Sequence, residues 1–378
     1  MAKPIENLKI CAFRQLKNIT LPELGRLNLL VGVNNSGKTT VLEAVSTYCR
    51  PLDPLEWIAT ARRREIKSSR ERILDAVRWL FPQEAADPQD AYYSGEVCTQ
   101  GDGNFENRES RASYQGILGD YEESLGAGDM GDEDYEESEE SSSGELANGR
   151  RGAEIRLEAE CRPSPLFSLE PEQYSVSFRL WEDERYISRT APTEPQLPVA
   201  TVSPFSHCVE QIQVSQLTEA TLSGTKFSAL ELVQLLDPDV TELEILSRHG
   251  IRPTLYVQHR RTGFTPLSVL GDGVRRVLTF ALNLLSVKHG VLLIETAIHK
   301  DALGPVFRWL VRAAAHHDVQ VFVTTHSLEA IDAMLTAQLD EPAEVVAFRL
   351  PDRGGTETKR FAGELLENLR FERGLDIR

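Results

Sequence analysis

An α/β fold is predicted for this chain of 378 residues: a mostly parallel sheet flanked by helices, with an N-terminal antiparallel β subdomain. Three observations predict it. A short apolar run, Leu27-Asn28-Leu29-Leu30-Val31, leads into a glycine-bracketed loop and then into the helix-patterned stretch Thr40-Val41-Leu42-Glu43-Ala44-Val45. Two further apolar runs, at 291–294 and 319–323, alternate with amphipathic stretches of helical length. Short apolar runs between turn residues read as strands buried on both faces, and strands alternating with helices give a parallel sheet. Residues 5–31 read as strands, with Leu8-Lys9-Ile10-Cys11-Ala12-Phe13 followed by a turn at Lys17-Asn18 and a second strand through Ile19-Thr20-Leu21.

The loop after Val31 is Gly32-Val33-Asn34-Asn35-Ser36-Gly37-Lys38-Thr39, which fits G-x-x-x-x-G-K-[ST]. Gly32 and Gly37 let the backbone turn so that several amides point into one anion-sized hollow. Lys38 is placed to reach the β- and γ-phosphates, and the Thr39 hydroxyl to ligate Mg²⁺. Asn34, Asn35, Ser36 and Thr40 complete the phosphate-binding set. Strand, glycine loop and helix in this order put phosphate on a helix N-terminus.

The composition, 41% hydrophobic and 26% charged, is that of a water-soluble globular protein. The formal charge is −17, but residues 120–145 hold twelve acidic and no basic residues, so the rest of the chain carries only −5. No chain-wide basic footprint for nucleic acid results. Cys11, Cys49, Cys98, Cys161 and Cys208 are scattered with no C-x-x-C pair, which argues against a zinc site or a disulfide framework; reduced, mostly buried thiols are expected. The chain opens with no cationic segment leading into an apolar core, and no apolar run reaches the length of a membrane span. The expected setting is the cytoplasm.

Residues 55–81 read as helical, with a basic set of Arg62, Arg63, Arg64, Lys67, Arg70 and Arg72. That set reads first as a solvated face and second as a patch for a phosphate backbone. From 84 to 150 aliphatic residues nearly vanish, and the acidic run at 132–140 repels itself, so a disordered insertion is expected. It is either an inert solubilising segment or a nucleic-acid mimic covering a basic patch. Residues 153–190 read as strands, 208–246 as mainly helical, and 254–266 as a strand pair. A helix follows the turn Ser268-Val269-Leu270-Gly271-Asp272-Gly273, with Val274, Val277, Leu278, Ala281, Leu282, Leu284 and Leu285 on its apolar face. The run at 291–294 ends on Glu295; a helix covers 300–316; the run at 319–323 ends at Thr324-Thr325-His326-Ser327. A last strand at 344–350, a Gly354-Gly355 turn and a terminal amphipathic helix close the chain.

The P-loop, the 268–273 turn, Glu295 and His326 thus fall at strand C-termini or helix N-termini, the edge where ligands bind in such sheets. Glu295 reads as a Mg²⁺ ligand or a plain strand-end carboxylate, and His326 as a γ-phosphate sensor or a capping histidine. Asp272 reads as an ordinary turn residue, while Ser268 and the two glycines offer a helix N-terminus to phosphate.

These motifs, in this order, resemble the heads of ABC-class ATPases, and most of all the AAA-annotated branch near the overcoming-lysogenization-defect, RecF and SMC proteins. Phe13-Arg14-Gln15-Leu16-Lys17-Asn18 also matches that branch. The resemblance covers residues 5–83 and 200–378. It implies a P-loop NTPase head divided into 1–83 with the P-loop, an insertion at 84–150, and a remainder at 151–378. Within that remainder a lid or arm spans 151–260, and the signature, Walker B-like and switch-histidine region spans 261–378. It further implies ATP and Mg²⁺ as cofactors, with Arg14 joining the P-loop residues at the nucleotide. An ATP-dependent homodimer is implied, in which Ser268, Gly271 and Gly273 act in trans, Glu295 and His326 are catalytic, and Thr39 and Glu295 hold the metal. Partners are DNA or an effector protein, in DNA repair, chromosome maintenance or phage defence, with no membrane role. The family ends its Walker B strand with Asp then Glu; this chain reads Ile294-Glu295-Thr296, so one carboxylate is missing, and the connection to His299 is shortened. Slow hydrolysis follows, or an ATP-dependent scaffold or sensor that does not turn over. The chain shows no long heptad insertion, no D-x-D cluster of a TOPRIM nuclease after His326, no N-K-x-D motif for guanine and no coupling helix of a transporter subunit.

Overall fold

A computed structural model describes residues 3–64, 72–83, 90–105, 107–120, 149–162, 171–183, 194–208, 210–247, 252–295, 300–340, 344–351, 355 and 357–377. The elements run β1 Ile5–Phe13, β2 Leu16–Leu21, β3 Leu27–Val31, α1 Lys38–Cys49, α2 Pro54–Arg62, α3 Ile73–Arg78, β4 Ser94–Gly103, β5 Asn107–Asp120, β6 Gly149–Arg162, β7 Glu172–Trp181 and β8 Val199–Val202. They continue as α4 Glu210–Leu222, α5 Lys226–Leu236, β9 Val240–Leu246, β10 Thr254–His259, β11 Gly263–Pro266, α6 Asp272–Ser286, β12 Val291–Glu295, α7 Lys300–His316, β13 Gln320–Thr324, α8 Leu328–Asp340, β14 Val345–Arg349, β15 Lys359–Ala362 and α9 Gly363–Glu367.

The expected fold class is the observed one. The central sheet has the order β15-β14-β3-β13-β12-β8, parallel except for β15. All five residues of β3 are buried, as a strand covered on both faces requires. Alternation sorts its neighbours. Leu29, Val321, Val323, Leu292 and Ile294 face the core built with α4 to α8, while Leu30, Phe322, Val291 and Leu293 face the core built with α1 and the second sheet. Asn28 is buried on β3 without penalty, because its amide bonds Gly25 and Val321 carbonyls and its oxygen accepts from Gly25 N–H.

The second sheet is antiparallel, in the order β2-β1-β4-β5-β6-β7. It corrects the sequence reading in three places. Strands β4 and β5 lie inside the segment expected to be a disordered insertion at 84–150, and each pairs over most of its length. Low aliphatic content misled there: only one side of these strands is covered, by Val97, Ala112 and Tyr114, and the other is free to be polar. The acidic run at 132–140 lies outside the described residues. Strands β6 and β7, expected in a separate arm at 151–260, close this same sheet. The hairpin turn after β1 is Arg14-Gln15 and not Lys17-Asn18, since Phe13 pairs with Leu16 and Lys17 already pairs with Ala12. Arg14 there takes φ 51°, the left-handed region that two-residue hairpins use.

Two smaller differences follow from the same cause. The region expected to be helical at 208–246 ends in a strand, β9, which joins β10 and β11 in a three-stranded sheet. The terminal helix is one short turn, α9, continued by a π turn at Asn368–Glu372. No helix among the described residues is long and apolar enough to cross a membrane.

Candidate nucleotide site

The P-loop joins β3 to α1 as expected. Gly32 has φ 146° and Gly37 φ 90°, and a Cβ at these positions would meet Ser36 Oγ at 2.8 Å and Leu16 Cδ2 at 2.6 Å. Both glycines are therefore set by backbone and packing together. Asn35, at φ 66°, is a left-handed non-glycine residue on the outer bend. Gly37 caps α1 with no side-chain acceptor, so the first-turn amides of the helix face the loop interior uncapped. Lys38 Nζ donates to Gly32 O and Val33 O, both at 2.8 Å, and reaches Ser36 Oγ at 3.4 Å. The ammonium sits among these oxygens in the hollow. Burial lowers its pKa to about 8.

Beside the loop lies a cavity of about 700 Å³ lined by Arg14, Asn35, Ser36, Gly37, Thr40, Arg64, Trp79 and Gln83, among others. The hairpin tip brings Arg14 to this wall. Its guanidinium donates to Glu43 at 2.8 and 3.2 Å, and Arg64 donates to the same carboxylate at 2.8 and 2.7 Å and to Thr40 Oγ1 at 2.8 Å. Glu43 is wholly buried. Arg63 adds a third cation, bonded to Glu56 and Ser46. Burial lowers the pKa of Arg14 and of Arg63, with Glu43 opposing the shift of the first and Glu56 that of the second. So Arg63 does not belong to a solvated face and turns inward against α1 and α2, while Arg64 stays exposed at the cavity wall and reaches the buried Glu43. Residues 65–71, with Lys67 and Arg70, lie outside the described residues.

The sheet edge lines up the remaining motifs. Leu30 pairs with Thr324, and Thr324 with Glu295, so P-loop, β13 and β12 end at one level, with β13 between the other two. Glu295 ends β12, after Val291 and Leu293 in alternation. Its Oε1 is buried with no hydrogen-bond partner among the described residues, in a small enclosure with His207, Arg276 and Thr279. His207 Nε2 lies 3.5 Å from Cys208 Sγ and 3.9 Å from Asp272 Oδ1, and Arg275 donates to His207 O at 3.1 Å. Burial, reinforced by Arg276, lowers the His207 pKa. Thr296 and His299 lie outside the described residues. His326 is exposed in the loop before α8, just past Thr325, whose amide bonds Leu30 O at 3.3 Å. Ser268, Gly271 and Gly273 are exposed at the start of α6, outside the large cavity. The structure thus unites the P-loop with Arg14, aligns Glu295 and His326 along the same edge, and leaves the 268–273 turn on the surface.

Sequence reasoning missed Glu43, Arg64, Trp79, Gln83 and His207. Glu43 carried a readable sign: it is a charged residue on the apolar side of α1, three positions after Thr40. The others sit on segments without a motif.

A glycine loop with its lysine and hydroxyl at a strand–helix junction, edged by a strand-end carboxylate, defines a P-loop ATPase-type nucleotide-binding domain. A family model described as "AAA domain, putative AbiEii toxin, Type IV TA system" matches residues 27–332, from β3 into α8, and the chain belongs to this AAA-domain family. It is also 34% identical over 115 residues to "Uncharacterized protein MJECL11" of Methanocaldococcus jannaschii, covering 29% of this chain and 99% of that protein. Among solved structures it is similar to "Structure of the recombination mediator protein RecF-ATPrS in RecFOR pathway", at TM-score 0.44 and 10% identity over 96% of this chain and 99% of that one. The structure of "the recombination mediator protein RecF-ATP in RecFOR pathway" gives TM-score 0.41 and 10% identity over 95% and 97%.

The Lys38 geometry gives a pH dependence with a definite sign. The ammonium form is disfavoured before phosphate arrives and favoured after, so binding above pH 8 takes up a proton. Apparent nucleotide affinity is expected to hold below pH 8 and to fall by about tenfold per unit above it. Titrations in buffers of different ionisation enthalpy measure the proton uptake directly.

Proposed function

We propose that the chain binds ATP with Mg²⁺ and works as an ATP-dependent homodimer of slow turnover. In that dimer the P-loop of one copy faces the 268–273 turn of the other. The observation that carries this reading is the state of Gly271 and Gly273. Neither has a left-handed φ, and a Cβ on either would meet nothing within 4 Å. No demand inside the chain calls for glycine at either position, while a nucleotide or second copy approaching α6 end-on would. Val269 beside them is 71% exposed, which supports the same face. Light scattering is expected to show a doubled mass with ATP and Mg²⁺. A Gly273→Glu chain is expected to stay monomeric while still binding ATP. A wild-type chain that remains monomeric in every condition, including added DNA, overturns the dimer.

The cavity supports ATP as the nucleotide. Trp79 is about half exposed on its wall and offers an indole face to a base. Gln83 donates through Nε2 to Arg78 O and Phe81 O, both at 3.0 Å, which leaves its Oε1 as an acceptor. An acceptor there suits the amino group of adenine and opposes the keto oxygen of guanine. The phosphates fit the uncapped α1 amides. Thr39 and Glu295 would hold Mg²⁺, a role that suits the unpartnered Glu295 oxygen at the end of β12. The metal would supply charge neutralisation at the phosphates.

With Glu295 in the metal's place and Thr296 after it, no second carboxylate serves as general base, a group worth about 10²–10⁴-fold. Glu295→Gln is expected to remove the Mg²⁺ dependence of ATP binding. If that dependence survives and a brisk wild-type turnover is lost, Glu295 is the base instead. A non-hydrolysing scaffold or sensor is the second reading, favoured by the same single carboxylate. The family's description names a toxin system, which supports a defence role with an effector partner ahead of DNA repair.

A further inference from the structure

We infer that Cys11 and Cys98 form an oxidation-sensitive dithiol that closes into a disulfide across β1 and β4. Ile10 pairs with Thr99 and Ala12 with Cys98, so a bulge sets two β1 residues, Cys11 and Ala12, against the single residue Cys98. A bulge of this kind breaks the strict alternation of the strand, which allows Cys11 to share a side of the sheet with Cys98. The two thiols are near enough for Cys11 to raise the pKa of Cys98. Opposed residues on antiparallel strands have Cα atoms about 4.5–5.5 Å apart, within the range of about 4.4–6.8 Å that a disulfide spans. Neither side chain is sealed in the core: both are half-buried, whereas Val97 and Thr99, on either side of Cys98, are buried on the other face. Glu109 and Arg111 of β5 are the charged groups near the pair.

The roles of the two thiols differ. Burial, and after it the neighbouring Cys11 thiol, push the Cys98 thiol up to about 12, so Cys98 holds its proton. The thiolate form of Cys11 attacks a peroxide, giving a sulfenic acid and hydroxide. Cys98 then attacks that sulfur. Its proton and the sulfenic hydroxyl leave as water, and the sulfur–sulfur bond forms. In a reducing compartment the pair rests as two thiols. Closure fixes the bulge just before Phe13 and Arg14, on the strand that delivers Arg14 to the cavity.

The test needs no nucleotide, so it stands apart from the proposed ATP function. The folded full-length chain is treated with hydrogen peroxide, free thiols are blocked with an alkylating agent, and the chain is digested for mass spectrometry. The expected product is one cross-linked peptide pair joining Cys11 to Cys98, lighter by two hydrogens. Buried Cys49 and Cys161 are expected to resist the alkylating agent until the chain is denatured. Cys11→Ser and Cys98→Ser are each expected to lose the cross-link. Oxidation that leaves Cys11 and Cys98 separately alkylated overturns the inference. So does a cross-link that appears only together with modification of Cys49 and Cys161, because it then forms in unfolded chains.

Discussion

Lys38→Ala is expected to weaken ATP binding by roughly 10- to 100-fold, the largest functional effect of a single substitution in this chain. Lys38 Nζ is the cation inside the loop hollow, held by Gly32 O, Val33 O and Ser36 Oγ. Phosphate oxygens would exchange those neutral acceptors for charged ones, and a hydrogen bond to a charged group is worth about 1.5–3 kcal/mol. The fold is expected to tolerate the change. The loop is open to water at Val33, which is 49% exposed, so Val33 O rehydrates, and the substitution also removes an ammonium that burial disfavours. Thermal melting separates the two effects. The variant is expected to melt close to the wild-type chain without ligand and to lose the rise in Tm that ATP gives, because that rise follows ligand concentration over Kd. A variant that keeps the full rise removes Lys38 from the phosphate site.

Glu43→Ala is expected to cost about 3 kcal/mol of stability, the lower part of the range for breaking a buried ion pair. The carboxylate is wholly buried and accepts two bonds from Arg14 and two from Arg64. Its removal strands Arg14, whose side chain is 13% exposed, while Arg64, at 45%, turns to water and limits the loss. Arg64→Ala is therefore expected to cost clearly less than Glu43→Ala. Denaturant unfolding of both variants checks the order. Equal stability of Glu43→Ala and wild type would mean that the carboxylate does not clamp the arginines in solution. The clamp also bears on function, since Arg14 and Arg64 line the cavity and Arg64 bonds Thr40 Oγ1. Loosening it is expected to weaken ATP binding beyond the loss of stability.

Much of the parallel sheet was legible because its signals are local. An apolar run of five residues, two glycines and a lysine define β3, the loop and α1 with no knowledge of what lies elsewhere. The apolar runs at β12 and β13 were equally plain, and with them Glu295 and His326. The antiparallel sheet was not legible. Its strands come from residues 5–21, 94–120 and 149–181, and their outer side is polar, so β4 and β5 resembled a solvated insertion. The arginines misled for a related reason. A basic run resembles a solvated face, and only the position of α1 shows that Arg64 meets the buried Glu43 and Arg63 the half-buried Glu56.

The sequence by itself determined where the glycine-bracketed loop forms its hollow, because that hollow is made of backbone amides whose direction is set by glycines a few residues apart. It also determined that only one carboxylate ends β12. The tertiary structure alone decided what surrounds the phosphate hollow: the Arg14–Glu43–Arg64 clamp, the Trp79 and Gln83 wall, and the exposed turn at 268–273. It alone brought Cys11 against Cys98. Those pairings join residues distant along the chain, and no period or spacing records them. They arise when two sheets pack on α1 and fix which side chains share a face.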